Sequence, residues 1–171
     1  MPKNQIFEVK SLARLAVVAA LYAALTIVLQ PISFGLIQLR LSEILVLLCF
    51  YRRDYSAALI LGCFIANCFS PMALMDMVFG TLATAVAVLP MYSVKNIWLA
   101  SLLPVLSNAV IIGIELFIAF DQPIWLGMLT VSAGELVVIT VIGCPLFRFI
   151  LEKNSRLTAL LGFRRAKMKT S

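Results

Sequence analysis

Apolar residues fill most of the chain in runs that are separated by short polar connections. A helix needs about 20 apolar residues to cross the hydrocarbon core of a bilayer, which is roughly 30 Å thick. Four of the runs are long enough for a full crossing. Together with two shorter runs, they predict spans at residues 12–30, 41–51, 55–69, 72–91, 97–120 and 124–151, followed by a polar, basic tail at 152–171.

The second and third runs are much shorter than the other four. Residues 41–51 end at Arg52, and residues 55–69 end at Ser70-Pro71. Each therefore lies near or below the lower limit for spanning the hydrocarbon core. Two interpretations stay open at this point: two short, tilted spans, or one re-entrant hairpin.

The overall composition agrees with a membrane protein. Hydrophobic residues make up 63% of the 171 residues, and the mean hydropathy is +1.05. A soluble domain has to mix its apolar surface with charge, so this composition excludes an ordinary soluble domain. We predict an all-α integral membrane protein with a single membrane domain over residues 1–171, which leaves no room for a soluble catalytic domain.

The distribution of basic residues predicts the orientation in the membrane. Cytoplasmic loops carry an excess of Lys and Arg. Six crossings with both termini in the cytoplasm place 13 of the 14 Lys and Arg residues inside and leave only Arg40 outside. The net charge of +6 is explained by this pattern without a nucleic acid partner.

The residue types that usually bind metals give no sign of a metal site or a cofactor. The chain has no His, and its four cysteines (Cys49, Cys63, Cys68 and Cys144) form no CxxC motif. All four lie in apolar runs, so they are predicted to be buried free thiols.

Polar residues inside or beside the apolar runs are the candidates for function. Ionisable residues within a membrane face the bundle interior or a cavity, because their exposure to lipid is unfavourable. In the six-span arrangement these residues fall in the outer half or near the midplane. The candidate solute-binding residues are Gln38, Arg40, Glu43, Asn67, Asp76, Asn108, Glu115, Trp125 and Glu135.

Several of these residues also have a purely structural explanation. Arg40 and Glu43 are three residues apart and share a helix face. Their pairing could be a structural clamp without a role in solute binding. Asp76 could cap the start of a helix. Asn67 could hydrogen-bond the neighbouring backbone.

Three candidate solute-binding residues in the second half of the chain differ in how well a structural role explains them. Glu115 could be partly hydrated at the membrane interface. Trp125 is of a type that is common in the interfacial belt, and this role competes with that of a platform for a ring. Glu135 is the hardest to explain structurally, since a mid-span carboxylate needs a partner or a proton.

The charges of this group indicate what it could bind. One arginine, Arg40, accompanies four carboxylates: Glu43, Asp76, Glu115 and Glu135. An excess of carboxylate predicts a cationic or donor-rich solute. An aromatic heterocycle with amino groups fits, because carboxylates and amides bind its N–H edge while aromatic side chains pack on its faces.

The first span carries small residues at intervals of four. Ala16, Ala20 and Ala24 form a smooth strip on which another helix could pack closely. From spacing alone, packing against the neighbouring spans of the same chain is the simpler explanation.

Three blocks of sequence resemble a known family. The blocks are Gly35–Glu43, Gly62-Cys63-Phe64-Ile65-Ala66-Asn67, and Asp76-Met77-Val78-Phe79-Gly80-Thr81-Leu82-Ala83-Thr84. They look like the QueT family, the proposed queuosine-precursor transporters. The six spans and the Ala-Val-Val-Ala-Ala opening of the first span resemble, more generally, the S components of energy-coupling factor (ECF) vitamin transporters.

This resemblance implies a role that the residues alone do not reach. An S component in the bacterial plasma membrane captures its solute from outside and has no catalytic activity. It docks on a transmembrane coupling protein (EcfT) that is driven by two ABC ATPase subunits (EcfA and EcfA′). Ala16 and Ala20 fall where the family has its AxxxA docking motif. The implied solute is a deazaguanine base, with hydroxymethylpyrimidine, thiamin, pantothenate or folate as alternatives.

Two other functional classes are less well supported by the sequence. An intramembrane aspartyl hydrolase needs two carboxylates that share a site, and the chain has no paired-Asp motif. For a structural or assembly protein, a buried Glu135 would be a liability without a use. A solute-binding titration distinguishes the three classes.

Overall fold

The computed structural model describes residues 3–33 and 39–163, without the side chains of residues 3–8 and Ile150. Within these ranges the regular structure is entirely helical, which confirms the all-α prediction. We number the helices α1 (Lys3–Val28), α2 (Leu41–Tyr51), α3 (Tyr55–Asn67), α4 (Ala73–Met91), α5 (Ile97–Phe120), α6 (Ile124–Glu135 continued by Leu136–Gly143 and Leu146–Leu151) and α7 (Ser155–Leu161). A short helical turn, Gln30–Ser33, follows α1.

Among the described helices, four are long and apolar enough to cross a membrane. These candidate spans are Val9–Val28, Ala73–Met91, Ile97–Phe120 and Ile124–Phe149. Helices α2 and α3 are apolar but shorter. The structure thus agrees with the four long predicted spans, whereas a full crossing by α2 and α3 stays a prediction.

Helix α2 lies in the interior of the bundle. Its residues Val46, Leu47, Cys49, Phe50 and Tyr51 are completely buried. It contacts α1, α3, α4, α5 and α6, while α1 packs on α3, α3 on α4, α4 on α5 and α5 on α6. The first part of α2, Leu41–Leu47, has 3₁₀ geometry, and such a run is unusually long.

The outer surface of the bundle is apolar, whereas many polar side chains are buried. Val28, Leu74 and Leu106 are 78%, 77% and 63% exposed on three different long helices. Arg40, Glu43 and other charged residues are almost completely buried. This distribution fits a chain whose surface faces lipid and whose interior holds a polar site.

Helices α1 and α3 pack at very short range around Gly62. A Cβ atom at this position would lie 2.8 Å from the carbonyl oxygen of Ala19 and 3.2 Å from Cβ of Tyr22. Ala19 and Ala23 are buried, whereas Ala16, Ala20 and Ala24 are exposed and form a separate strip on α1. The strip with four-residue spacing therefore does not supply the close packing of α1 on α3.

We expect Gly62→Ala to destabilise the protein by about 1–3 kcal/mol, because the added methyl group overpacks a contact with rigid backbone. The measurement is the thermal unfolding midpoint in detergent. Leu61→Ala is the matched control, since Leu61 is on the same helix and 53% exposed. An unchanged midpoint for Gly62→Ala would contradict the close approach of the two helices.

The cysteines differ in their exposure. Cys49, Cys63 and Cys144 are buried and Cys68 is exposed, and all four are free thiols. The prediction of a buried thiol was therefore wrong for Cys68. It follows directly after the end of α3 at Asn67, where the chain turns at the edge of the bundle.

Candidate functional site

Arg40 joins the start of α2 to the start of α4. Its guanidinium Nη2 lies 3.3 Å from Oδ1 of Asp76, and its Nε donates to the carbonyl oxygen of Ser33 at 3.3 Å. The Arg40 and Asp76 side chains are 4% and 1% exposed. The ion pair of Arg40 is thus made with Asp76, 36 residues away, and not with Glu43 in a local clamp.

Asp76 lies in the first turn of α4 and has a second partner. The hydroxyl of Ser70 donates to Asp76 Oδ2, and the backbone N–H of Met72 donates to Ser70 Oγ at 3.1 Å. Because α4 begins at Ala73 and Met72 occupies the N-cap position, Asp76 does not cap the helix. Its carboxylate is instead held toward Arg40.

Asn67, at the end of α3, ties that helix to α4. Its Nδ2 donates to the backbone oxygen of Asp76 at 2.8 Å and to Sγ of Cys63 at 3.3 Å. A Cβ atom on Gly80 would lie 2.6 Å from Asn67 Nδ2. Gly80 therefore leaves the space that the amide needs to reach α4.

Glu43, in the first turn of α2, is hydrogen-bonded from α1. The hydroxyl of Tyr22 donates to Glu43 Oε1. One turn further along α1, Thr26 Oγ1 lies 2.6 Å from Ser42 Oγ. The second carboxylate oxygen of Glu43, Oε2, is buried without a hydrogen-bond partner in the described part of the chain.

Glu135 approaches the same region from α6. It is 3% exposed, its side chain interacts with the Asn108 amide of α5, and it is in electrostatic range of Glu43 and Arg40. From Leu136 onward, α6 has π-type turns, which are frequent at functional sites. One oxygen of Glu135, Oε2, is buried and makes no hydrogen bond to residues 3–33 or 39–163.

Glu115 reaches the same region from α5 and lies close to the carboxylate of Asp76. It is completely buried on α5 and interacts electrostatically with Asp76 and Arg40. Neither of its carboxylate oxygens has a hydrogen-bond partner among the residues that the structure describes. A buried carboxylate in this state requires a donor or a proton.

The structure brings seven of the nine predicted solute-binding residues into one buried cluster, which we call the acidic cluster: Arg40, Glu43, Asn67, Asp76, Asn108, Glu115 and Glu135. Trp125 is 64% exposed at the start of α6 and is not part of this cluster. Gln38 lies outside the described residues. The strip of Ala16, Ala20 and Ala24 is exposed on α1.

Sequence reasoning missed the hydroxyl groups that orient the carboxylates. Tyr22 supports Glu43, and Ser70 supports Asp76. Tyr22 was detectable in principle, since a tyrosine in the middle of a span needs a hydrogen-bond partner. Ser70 gave no signal, because a serine beside a proline is typical of a turn.

The acidic cluster contains more acceptors than donors. Arg40 is the one buried Lys or Arg of the described residues, and it faces four buried carboxylates. The buried side-chain atoms without a partner in the described ranges are Ser33 Oγ, Glu43 Oε2, Asn67 Oδ1, Thr81 Oγ1, both oxygens of Glu115 and Glu135 Oε2. Such a site suits a small ligand that carries several N–H donors or a positive charge.

Comparisons with known proteins agree with this picture. A family model described as "QueT transporter" matches residues 12–152. The chain is 38% identical over 88 residues to the "Queuosine precursor transporter QueT" of Lactococcus lactis subsp. cremoris (strain MG1363). This match spans about half of the chain and half the length of that curated relative.

No solved structure gives a significant match to the chain. The family suggested by the three sequence blocks is nevertheless confirmed, because the family model covers most of the chain. The apolar helices and the match together identify a multi-pass membrane protein. The chain belongs to the QueT transporter family, which is a family of transporters and not of enzymes.

Proposed function

We propose that the protein is the substrate-binding S component of an ECF-type ABC importer in the bacterial plasma membrane. It forms a single membrane domain with six crossings and both termini in the cytoplasm. This orientation is supported by the basic residues, of which 13 of 14 fall on the cytoplasmic side. Capture of the solute takes place from outside, where the acidic cluster lies in this orientation.

The proposed solute is a queuosine precursor, a deazaguanine base with several N–H donors. The observation that carries this proposal is the set of unpartnered, buried acceptor atoms of Glu43, Asn67, Glu115 and Glu135. Family membership and the name of the Lactococcus relative support the same solute class.

Charge balance gives the physical reason for binding. Asp76 is already engaged with Arg40 and Ser70, so the unsatisfied acceptors of Glu43, Glu115 and Glu135 are left for the ligand. A cationic or donor-rich ring completes their hydrogen bonds in a region of low dielectric. Tyr22 and Arg40 hold the carboxylates in place, which reduces the ordering that binding requires.

A titration of the purified protein tests this proposal. Radiolabelled deazaguanine bases, pyrimidines and B vitamins are compared under identical conditions in detergent. We expect saturable binding of a deazaguanine base that bears an amino group. Preferential binding of hydroxymethylpyrimidine, thiamin, pantothenate or folate would instead assign an S component of other specificity, and no binding at all would contradict the solute-binding role.

The proposed partners are a coupling protein, EcfT, and two ABC ATPase subunits, EcfA and EcfA′, which hydrolyse ATP. The contact surface on this chain is the strip of Ala16, Ala20 and Ala24. All three residues are exposed, while Ala19 and Ala23 make the internal contacts of α1. A strip of small residues that is not used within the chain is available for a helix of another subunit.

We expect Ala16→Trp or Ala20→Trp to abolish solute uptake by the assembled importer and to leave solute binding by the isolated subunit unchanged. A bulky ring on this strip prevents the close approach of a partner helix. Uptake in cells and binding in detergent are measured in parallel. The matched control is Ala133→Trp, which places the same ring on an exposed position of α6. Unimpaired uptake by well-expressed Ala16→Trp and Ala20→Trp would exclude this docking surface.

A further inference from the structure

Helix α7 is fixed by hydrogen bonds to its last carbonyl groups. Nη1 of Arg14 and the hydroxyl of Tyr55 donate to the oxygen of Leu161 at 3.3 and 2.8 Å. Nη1 of Arg52 donates to the oxygen of Gly162 at 3.3 Å. These donors satisfy the carbonyl end of a helix, where partial negative charge accumulates.

The second residue after the end of α7, Phe163, is packed into the bundle. The Phe163 ring stacks on Tyr51, the last residue of α2, with ring centroids 4.2 Å apart and planes inclined by 12°. Gly162 makes the turn in the left-handed region, with φ of 67°. The position of α7 beside α1 is therefore set by packing as well as by hydrogen bonds.

An apolar groove lies between α1 and α7. Its volume is about 570 Å³, and its walls include Ala13, Val17 and Leu160. Val17 and Leu160 are 65% and 68% exposed. The described residues lining the groove include two cations, Lys10 and Arg14, and no acidic residue.

The two cations lie at one end of the groove, one helical turn apart on α1. Lys10 is exposed. The carboxylate of Asp54, which also belongs to this side of the protein, is engaged by Arg52 through Nε at 3.0 Å. Burial alone would raise the pKa of Asp54, but the hydrogen bond from Arg52 holds this pKa below its usual value. Asp54 is thus hydrogen-bonded by Arg52 and interacts with Arg14 only electrostatically. Among the described side chains, neither Lys10 nor Arg14 forms an ion pair.

We propose that this groove binds an anionic phospholipid of the cytoplasmic leaflet. The phosphate lies against Lys10 and Arg14, and an acyl chain lies along Val17 and Leu160. Basic pockets between helices on the cytoplasmic side have the chemistry for such headgroups. The inference rests on the proposed orientation of the chain in the membrane and is independent of the solute.

The charge of the groove favours an anionic lipid over an apolar helix of a partner protein. Its described lining has two cations and no acidic residue, and a lipid phosphate supplies the negative charge that an apolar transmembrane helix lacks. The acyl chain of the same lipid covers the apolar wall at Val17 and Leu160. The alanine strip proposed for the coupling protein, Ala16, Ala20 and Ala24, does not line the groove.

Native mass spectrometry of the whole chain tests the proposal. The protein is equilibrated in detergent with equal amounts of phosphatidylglycerol and phosphatidylcholine, and the retained lipids are counted. We expect phosphatidylglycerol to be enriched in the parent and this enrichment to fall about fivefold in Lys10→Gln. Lys95→Gln is the matched control, because it removes one exposed cation elsewhere on the cytoplasmic side.

A second pair of variants tests the apolar part of the groove. Leu160→Trp fills the groove and should reduce retention of both lipids. Leu99→Trp should not, although Leu99 is similarly exposed at 60%. Equal retention of the two lipids by the parent, or equal losses in Lys10→Gln and Lys95→Gln, would overturn the proposal. It would also be overturned if Leu160→Trp kept its lipid but no longer assembled with a coupling protein.

Discussion

Glu115→Gln and Glu135→Gln are each expected to weaken binding of a cationic deazaguanine base by about ten- to a hundredfold. Each substitution keeps the shape of the side chain and removes one charge-assisted hydrogen bond, which contributes about 1.5–3 kcal/mol. The effect should be larger at Glu115, because both of its oxygens lack a partner among the described residues. Glu135 also interacts with Asn108.

Equilibrium binding in detergent measures this loss directly. Glu152→Gln is the matched control, since it makes the same chemical change at a carboxylate that accepts from Tyr51, at 2.7 Å, far from the acidic cluster. Stopped-flow binding adds the rates of association and dissociation. If Glu115→Gln and Glu135→Gln both bind the base as well as the parent does, the carboxylates are structural and the acidic cluster is not the solute site.

Arg40→Met is expected to destabilise the folded protein by about 3–5 kcal/mol. Removing one partner of a buried ion pair leaves an uncompensated charge, and here four buried carboxylates would face no buried cation in the described part of the chain. The thermal unfolding midpoint in detergent reports this loss. Arg53→Met is the control, because Arg53 is exposed in the connection between α2 and α3.

The double variant Arg40→Met/Asp76→Asn separates the ion pair from other roles of Arg40. If the Arg40–Asp76 contact dominates, the double variant should be more stable than Arg40→Met alone, since it no longer buries the unpaired Asp76 charge. If the loss of stability in the double variant equals the sum of the losses in Arg40→Met and Asp76→Asn, the two residues act independently. That result would contradict the pairing seen at 3.3 Å.

The polar members of the site could be predicted because a membrane span tolerates ionisable side chains almost only in the interior of the bundle. A carboxylate such as Glu135 in an apolar run has few stable environments, and its burial follows from sequence alone. The same reasoning placed Asn67, Asp76 and Glu115 inside the bundle. Trp125 was a weaker prediction, because a tryptophan near a span end is stable either at the lipid interface or in a pocket.

The pairings inside the site could not be predicted from one sequence. Arg40 and Glu43 are close along the chain, but the ion pair forms between Arg40 and Asp76. That choice depends on how α2 and α4 are placed relative to each other, which local spacing does not encode. The 3₁₀ geometry at Leu41–Leu47 and the hydrogen bond from Tyr22 to Glu43 were likewise not predicted, because the spacing of Arg40 and Glu43 was interpreted with regular α-helical geometry.

Because α2 is short, the acidic cluster would lie inside the membrane, where a bound charge senses part of the membrane potential. The seven 3₁₀ residues and four α-helical residues of α2 cover about 20 Å, compared with about 30 Å of hydrocarbon. If Tyr51 marks the cytoplasmic boundary in the proposed orientation, residues 43–51 rise about 16 Å from it, so Glu43 lies nearly half of the way into the membrane from outside. In the proposed orientation, a monovalent cation that binds there crosses a corresponding part of the membrane potential. An inside-negative potential would strengthen its binding by roughly 1.1 kcal/mol per 100 mV, so an energised cell would hold the solute more tightly than detergent does.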